Sequence, residues 1–331
     1  MCAAFHFLLF SCVLGVLVSD VISAGIQDGY VLNDQGKPVK IASNSLESLS
    51  GVSEAELPNR VFFYLYTRST WTNGEKLILG DANSVGRSHF SARRPTRFVI
   101  HGWQNSGQSK TCTSIRDAFL QNGDYNVIVV DWGSITKFEY VWTSNQVVKV
   151  GQFVARMIDF LTTQGLDVSK TIVVGHSLGA HVAGLSSYYA HKKVASVVAM
   201  DPAGPNFHGT GPGQSLHKGD ASYVQVIHTS NMVGMGSSMG DADFYPNGGS
   251  GQSGCGADLG ESCSHSRSHE FYAESINSNR FVGRACNSYD NFKSGRCNSN
   301  AAAIMGGATP NSRIRGTYYL STNSKSPYAR G

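Results

Sequence analysis

Charge is scarce in this chain: of 331 residues only 15% are Asp, Glu, Lys or Arg, and the formal net charge is +4. No dense Lys/Arg tract interleaved with aromatic residues occurs, which excludes the usual electrostatic footprint of a nucleic-acid partner and leaves at most a weak attraction to anionic lipid surfaces. No CxxC pair occurs and no HxxxH pair suggests a zinc site, so neither a metal nor another cofactor is expected. Beyond the first twenty or so residues no apolar run is long enough to span a bilayer, and no internal repeat is present. What the chain does have is 41% hydrophobic residues, enough to fill one large core, so a single main domain is the default.

Residues 5–18 form an apolar run of signal-peptide length, followed by the small-residue stretch Ile22-Ser23-Ala24. Residues 1–24 therefore read as a secretory leader cleaved near Ala24, although Met1 to Phe5 lacks the usual Lys or Arg. Cleavage would remove Cys2 and Cys12 and leave five cysteines: Cys112, Cys255, Cys263, Cys286 and Cys297. In an oxidising compartment the close pairs Cys255–Cys263 and Cys286–Cys297 would staple loops, leaving Cys112 as a structural or idle thiol.

Residues 25–58 are polar and Ser-rich with little periodicity, and read as a mobile arm or pro-segment, with the folded unit (59–331) beginning near Asn59. Short apolar runs then recur at 61–66, 97–101, 126–131, 171–175, 194–200 and 223–228, of buried-strand length and rich in Val, Ile and aromatics. Between them, 147–163 carries Val147, Val150, Val154, Met157, Ile158 and Leu161 at helical spacing. The alternation predicts an α/β fold, a largely parallel sheet with helices on both faces. From Ser230 to Asn300 the chain turns Gly/Ser/Asn-rich, which reads as long loops over a site with one helix near 268–277.

Gly175-His176-Ser177-Leu178-Gly179 fits G-x-S-x-G, a pattern that this composition yields about half a time by chance, and Gly236-Ser237-Ser238-Met239-Gly240 fits it too. Context separates them. A strained strand-to-turn-to-helix elbow needs a buried strand before the serine and a helix after it, which 171–174 and 180–185 provide for Ser177 and nothing provides for Ser238. A serine hydroxyl needs a base and a carboxylate to orient that base. Asp201 ends the apolar run at 197–200 and is the candidate acid. For the base, His265, His269 and His228 stay open, His228 with the stronger claim to a local packing role. The oxyanion of an acyl-transfer intermediate needs two N–H donors, for which Leu178 and Trp103, the latter in Ile100-His101-Gly102-Trp103, are the candidates.

Together with Arg60-Val61-Phe62-Phe63-Tyr64, Val130-Asp131-Trp132, Asp201-Pro202-Ala203-Gly204-Pro205, Asp243-Phe244-Tyr245-Pro246-Asn247-Gly248-Gly249 and Cys263-Ser264-His265-Ser266-Arg267, these stretches resemble the animal pancreatic-lipase family from about Pro58 onward. The resemblance implies the α/β-hydrolase fold, a triad of Ser177, Asp201 and His265, and Trp103 with Leu178 as oxyanion hole. It implies a secreted hydrolase of glycerolipid esters acting at a membrane, micelle or emulsion surface. The C-terminal β-sandwich of family lipases is not seen, so no colipase is expected. Only residues 256–262 separate the cysteines of the family's lid disulfide, and 230–239 is short, a pattern shared with sn-1-specific phospholipases (phospholipase A1). Triacylglycerol is the second choice of substrate. Of the family's calcium ligands Asp220 is matched, but His217 replaces an expected Asp, and no metal is expected. The competing reading is a non-catalytic lipid-binding or yolk-storage protein on the same scaffold, though such members typically lack the serine.

Overall fold

The computed structural model describes residues 29–41 and 50–331. The expected leader lies outside the described residues. The strands are β1 (Tyr30–Leu32), β2 (Pro38–Lys40), β3 (Phe62–Tyr66), β4 (Glu75–Leu77), β5 (Thr96–Ile100), β6 (Asn126–Asp131), β7 (Ile172–His176), β8 (Ser196–Met200), β9 (Val224–Ile227), β10 (Ala242–Pro246), β11 (Val282–Ala285), β12 (Ala302–Ile304) and β13 (Gly316–Leu320). The helices are α1 (Ala82–Gly86), α2 (Lys110–Asn122), α3 (Gly133–Thr136), α4 (Tyr140–Ser144), α5 (Val147–Thr163), α6 (Leu178–Tyr189), α7 (Ser262–Ser275) and α8 (Tyr289–Lys293).

One 11-stranded sheet runs in the order β12-β11-β13-β10-β9-β8-β7-β5-β6-β3-β4. Its centre, from β13 to β6, is parallel, and antiparallel pairs close both edges. Both faces are covered, as a parallel sheet requires. Alternate residues of the central strands serve opposite cores: Phe98, Ile100, Ile128, Val130 and Val173 pack with α5 and α6, whereas Val99, Val127, Val129, Val174 and Val198 pack with α2 and α7. This two-sided burial is why the strands read as continuous apolar runs. The α/β fold is thus the one expected. Among the described residues no helix is long and apolar enough to cross a membrane.

Two regions depart from expectation. Within the supposed mobile arm, β1 and β2 form an antiparallel hairpin, and Val31 and Ile41 are buried in the main core, each contributing about 1.5–3 kcal/mol of burial. The boundary near Asn59 therefore does not mark where packing starts. In the stretch read as loops, β10 lies inside the parallel sheet between β9 and β13. There too α7 begins at Ser262, ahead of the helix expected near 268. Asp258 accepts from the amides of Cys263 and Ser264, both at 2.8 Å, and so starts a helix whose polar opening carries no apolar period.

Candidate active site

Ser177 occupies the turn between β7 and α6 with φ 58° and ψ −125°, a conformation that strains a non-glycine residue by about 1–3 kcal/mol. Its neighbours make the turn possible. A Cβ on Gly175 would lie 2.0 Å from the carbonyl oxygen of Gly179, and one on Gly179 would lie 2.3 Å from that of His101. The Ser177 amide donates to Met200 O at 3.0 Å, and its carbonyl accepts from Ala180 N at 3.0 Å. The hydroxyl Oγ is buried and has no hydrogen-bond partner among the described residues. Ser238, in the competing motif, is a loop residue whose hydroxyl lies 3.1 Å from Tyr245 Oη and 3.3 Å from Thr317 Oγ1.

Asp201 directly follows β8 with φ 45° and is fully buried. Its Oδ1 accepts from the amides of Thr229 (2.7 Å) and Ser230 (3.1 Å), and its Oδ2 from the Ser230 hydroxyl (2.5 Å). His265, four residues into α7, places Nδ1 2.6 Å from Asp201 Oδ2. An ionised carboxylate only accepts, so Nδ1 carries the proton and Nε2 presents a lone pair. That Nε2 is buried and, among the described residues, unpartnered, as is Ser177 Oγ.

The other two histidines are engaged differently. His228 faces Met235 O (2.6 Å) with one nitrogen and Asp243 Oδ1 (2.8 Å) with the other, and stacks on Tyr245. His269 lies one turn beyond His265 with its ring 5.1 Å from that of His176, and burial lowers its pKa to about 4. His176 was singled out only as part of the motif. Its ring packs 4.5 Å from that of His265, its Nε2 donates to the His265 carbonyl at 3.2 Å, and burial keeps it neutral, well below the usual histidine range. Position alone, next to the serine, was the signal for it. Ser230, which orients Asp201, had no signal in sequence.

Leu178 opens α6, and its amide, like that of Trp103, meets no acceptor among the described residues. The Trp103 loop presses on the serine: a Cβ on Gly102 would lie 2.7 Å from Ser177 Cβ. The loop is held by Trp103 Nε1 donating to Phe138 O (2.7 Å) and Gln104 N to Thr136 O (3.1 Å).

Both expected disulfides, Cys255–Cys263 and Cys286–Cys297, are formed. Cys112 is a buried free thiol, pushed well up by desolvation and so unsuited to act as a nucleophile. Between Cys255 and Cys263 a 3-10 turn ends at Glu261, whose carboxylate accepts from the amides of Asn231 (2.6 Å) and Met232 (2.7 Å). The calcium set does not fit this chain. Asp220 already accepts from the His217 amide at 2.7 Å, burial raises its pKa to about 6, and His217 Nδ1 turns to Ser215 O, whereas a hard cation asks for several ionised oxygen ligands.

A family model described as Lipase matches residues 33–328. The pancreatic triacylglycerol lipase of Myocastor coypus is 33% identical over 260 residues, covering 71% of this chain and 57% of its own. Lipase member H-A of Xenopus laevis is 36% identical over 248 residues, covering 72% and 53%. Inactive pancreatic lipase-related protein 1 of Homo sapiens is 34% identical over 260 residues, covering 71% and 56%. The chain spans little more than half the length of these relatives.

Proposed function

Because the chain belongs to the lipase family, we propose that it is a secreted serine hydrolase of glycerolipid esters that cleaves the sn-1 ester of phospholipids. One observation carries the hydrolase reading: Asp201 and His265 are joined at 2.6 Å, while the free nitrogen of that imidazole and the hydroxyl of Ser177 are both buried and unpartnered among the described residues. Ser177 Oγ attacks the acyl carbon as His265 Nε2 takes its proton, and Asp201 holds the imidazolium. The amides of Leu178 and Trp103 receive the oxyanion. His265 then returns the proton to the leaving alcohol, and water, activated by the same imidazole, releases the fatty acid and restores Ser177.

The phospholipid preference is supported by the short Cys255–Cys263 loop, tied down through Glu261 onto Asn231 and Met232, which leaves no long apolar cover to exclude a charged head group. Triacylglycerol hydrolysis is the second reading, favoured by the name of the Myocastor coypus relative. A non-catalytic lipid-binding role is disfavoured by the intact Ser177–His265–Asp201 set. The test is hydrolysis of dispersed phospholipid and of emulsified triacylglycerol by the wild type beside Ser177→Ala. We expect phospholipid to be the better substrate, and the substitution to lower kcat by roughly 10⁶-fold without lowering the melting temperature. Activity on triacylglycerol alone reverses the substrate order. Equal rates for both proteins end the serine mechanism.

A further inference from the structure

A cavity of about 240 Å³ adjoins the site without containing Ser177, and its wall includes His176, His269 and Glu270, the start of α2 at Lys110, and Asp34 on the β1–β2 turn. Its hydrogen-bonding groups are unevenly committed. The two carboxylates have partners: Glu270 is bound by the Arg267 guanidinium and by Tyr328 Oη (2.7 Å), and Asp34 by Ser106 N (3.2 Å), Ser106 Oγ (2.7 Å) and Asn105 Nδ2 (3.3 Å).

Three of the wall's donor groups have none among the described residues. The 13-residue α2 begins without a side-chain cap, since Ser109 makes no capping bond, and the amides of Lys110, Thr111 and Cys112 meet no acceptor among the described residues. The ammonium of Lys110 is exposed and likewise without a partner there. His269 is 6% exposed and hydrogen-bonds through neither ring nitrogen among the described residues. With its pKa held near 4 by burial, it is a neutral N–H donor at physiological pH. A helix N-terminus, one unpaired cation and a buried, unpartnered imidazole on a common wall form a receptor for an oxyanion.

We infer that this cavity is a phosphate subsite, in which the first amides of α2, Lys110 and His269 hold a phosphate group carried by a lipid head group or free in solution. His269 stands one helical turn from His265, a separation of about 6 Å, which is comparable with the few bonds between an sn-1 ester and the phosphate of a glycerophospholipid. The lipid-borne form of the inference rests on the phospholipid reading above; the binding of inorganic phosphate does not.

The experiment compares the wild type with Lys110→Glu, a change at an exposed side chain. Inorganic phosphate binding is followed by phosphorus NMR, and kcat/KM is measured on a soluble short-chain phosphatidylcholine and on the diacylglycerol with the same acyl chains. The expected result is that the substitution weakens phosphate binding about tenfold and lowers the phosphatidylcholine/diacylglycerol ratio of kcat/KM by a similar factor, which identifies the lipid head group as the source. Weakened phosphate binding with an unmoved ratio identifies free phosphate instead. Phosphate that fails to bind the wild type, or binds both proteins equally, together with an unmoved ratio overturns the subsite. A wild type active on diacylglycerol but inert on phosphatidylcholine sinks the phospholipid reading while the phosphate titration still decides the subsite.

Discussion

Around Ser177 the restraint is the backbone itself: Gly102, Gly175 and Gly179 admit no Cβ, and the strained serine is held because its surroundings leave it no other path. Around His265 the restraint is a set of carboxylates. Asp201 gathers Thr229, Ser230 and the imidazole, Asp258 starts α7, and Glu261 ties the loop between Cys255 and Cys263 to residues 231 and 232. The proposed nucleophile is thus positioned by close packing and the proposed base by hydrogen bonds. Close packing resists every substitution, whereas a hydrogen-bonded loop can deform locally and leave the fold standing.

Two glycines, one in each region, can break this distinction. Gly175→Ala would put its Cβ 2.0 Å from a backbone oxygen, with no side chain to move aside, so we expect a stability loss of roughly 3–5 kcal/mol read by urea unfolding. Gly234→Ala would put its Cβ 2.6 Å from Asp201 Oδ1. That carboxylate can yield by rotating away from His265, so kcat should fall about 100-fold, as a misplacement near 1 Å does, with unfolding little changed. If Gly234→Ala unfolds the protein and Gly175→Ala does not, the assignment of restraints is reversed.

The same contrast explains what could be read without coordinates. The run at 126–131 coincides with β6, and 147–163 with α5, because strands buried on both faces and an amphipathic helix carry their period in the residues themselves. Gly-His-Ser-Leu-Gly was legible for a related reason, since the elbow is a local steric demand. β10 was missed: Asp243 breaks its apolar run and is tolerable only because His228 and the amides of Met239 and Gly240 meet it. The histidine stayed ambiguous until the resemblance named it, because α7 opens on Ser-Cys-Ser-His-Ser with a polar pattern. Ser230 and Glu261 were invisible, since each acts on a partner about thirty residues away along the chain.

Acid sharpens the comparison, because each region buries a histidine lowered to about pKa 4 by desolvation, His181 in α6 and His269 in α7. The unfolded value is about 6.5, so the unfolded chain takes up the proton first. Each histidine therefore contributes stability that is full above about pH 6.5 and is lost as pH falls toward 4. Between pH 7 and 5 each should account for about 2 kcal/mol of the loss in unfolding free energy. His269→Gln should remove its share of that pH dependence, measured by urea titration at both pH values. An unchanged slope would mean that the imidazole is protonated in the fold or exposed.

The smallest effect on kcat is expected at Ser230→Ala. Its hydroxyl donates to Asp201 Oδ2 at 2.5 Å and accepts from the buried Gly234 amide at 3.0 Å, so alanine deletes one bond to a charged group and orphans one N–H. Such a pair of losses is worth about 2–4 kcal/mol of stability. The effect on kcat should be smaller in proportion, about fivefold to tenfold, because the amides of Thr229 and Ser230 and the ring of His265 still hold the carboxylate. Side-chain truncation cannot remove those amides. If kcat instead falls as far as it does in Gly234→Ala, the hydroxyl and not the backbone is the grip on Asp201, and the base side of the site is as brittle as the serine side.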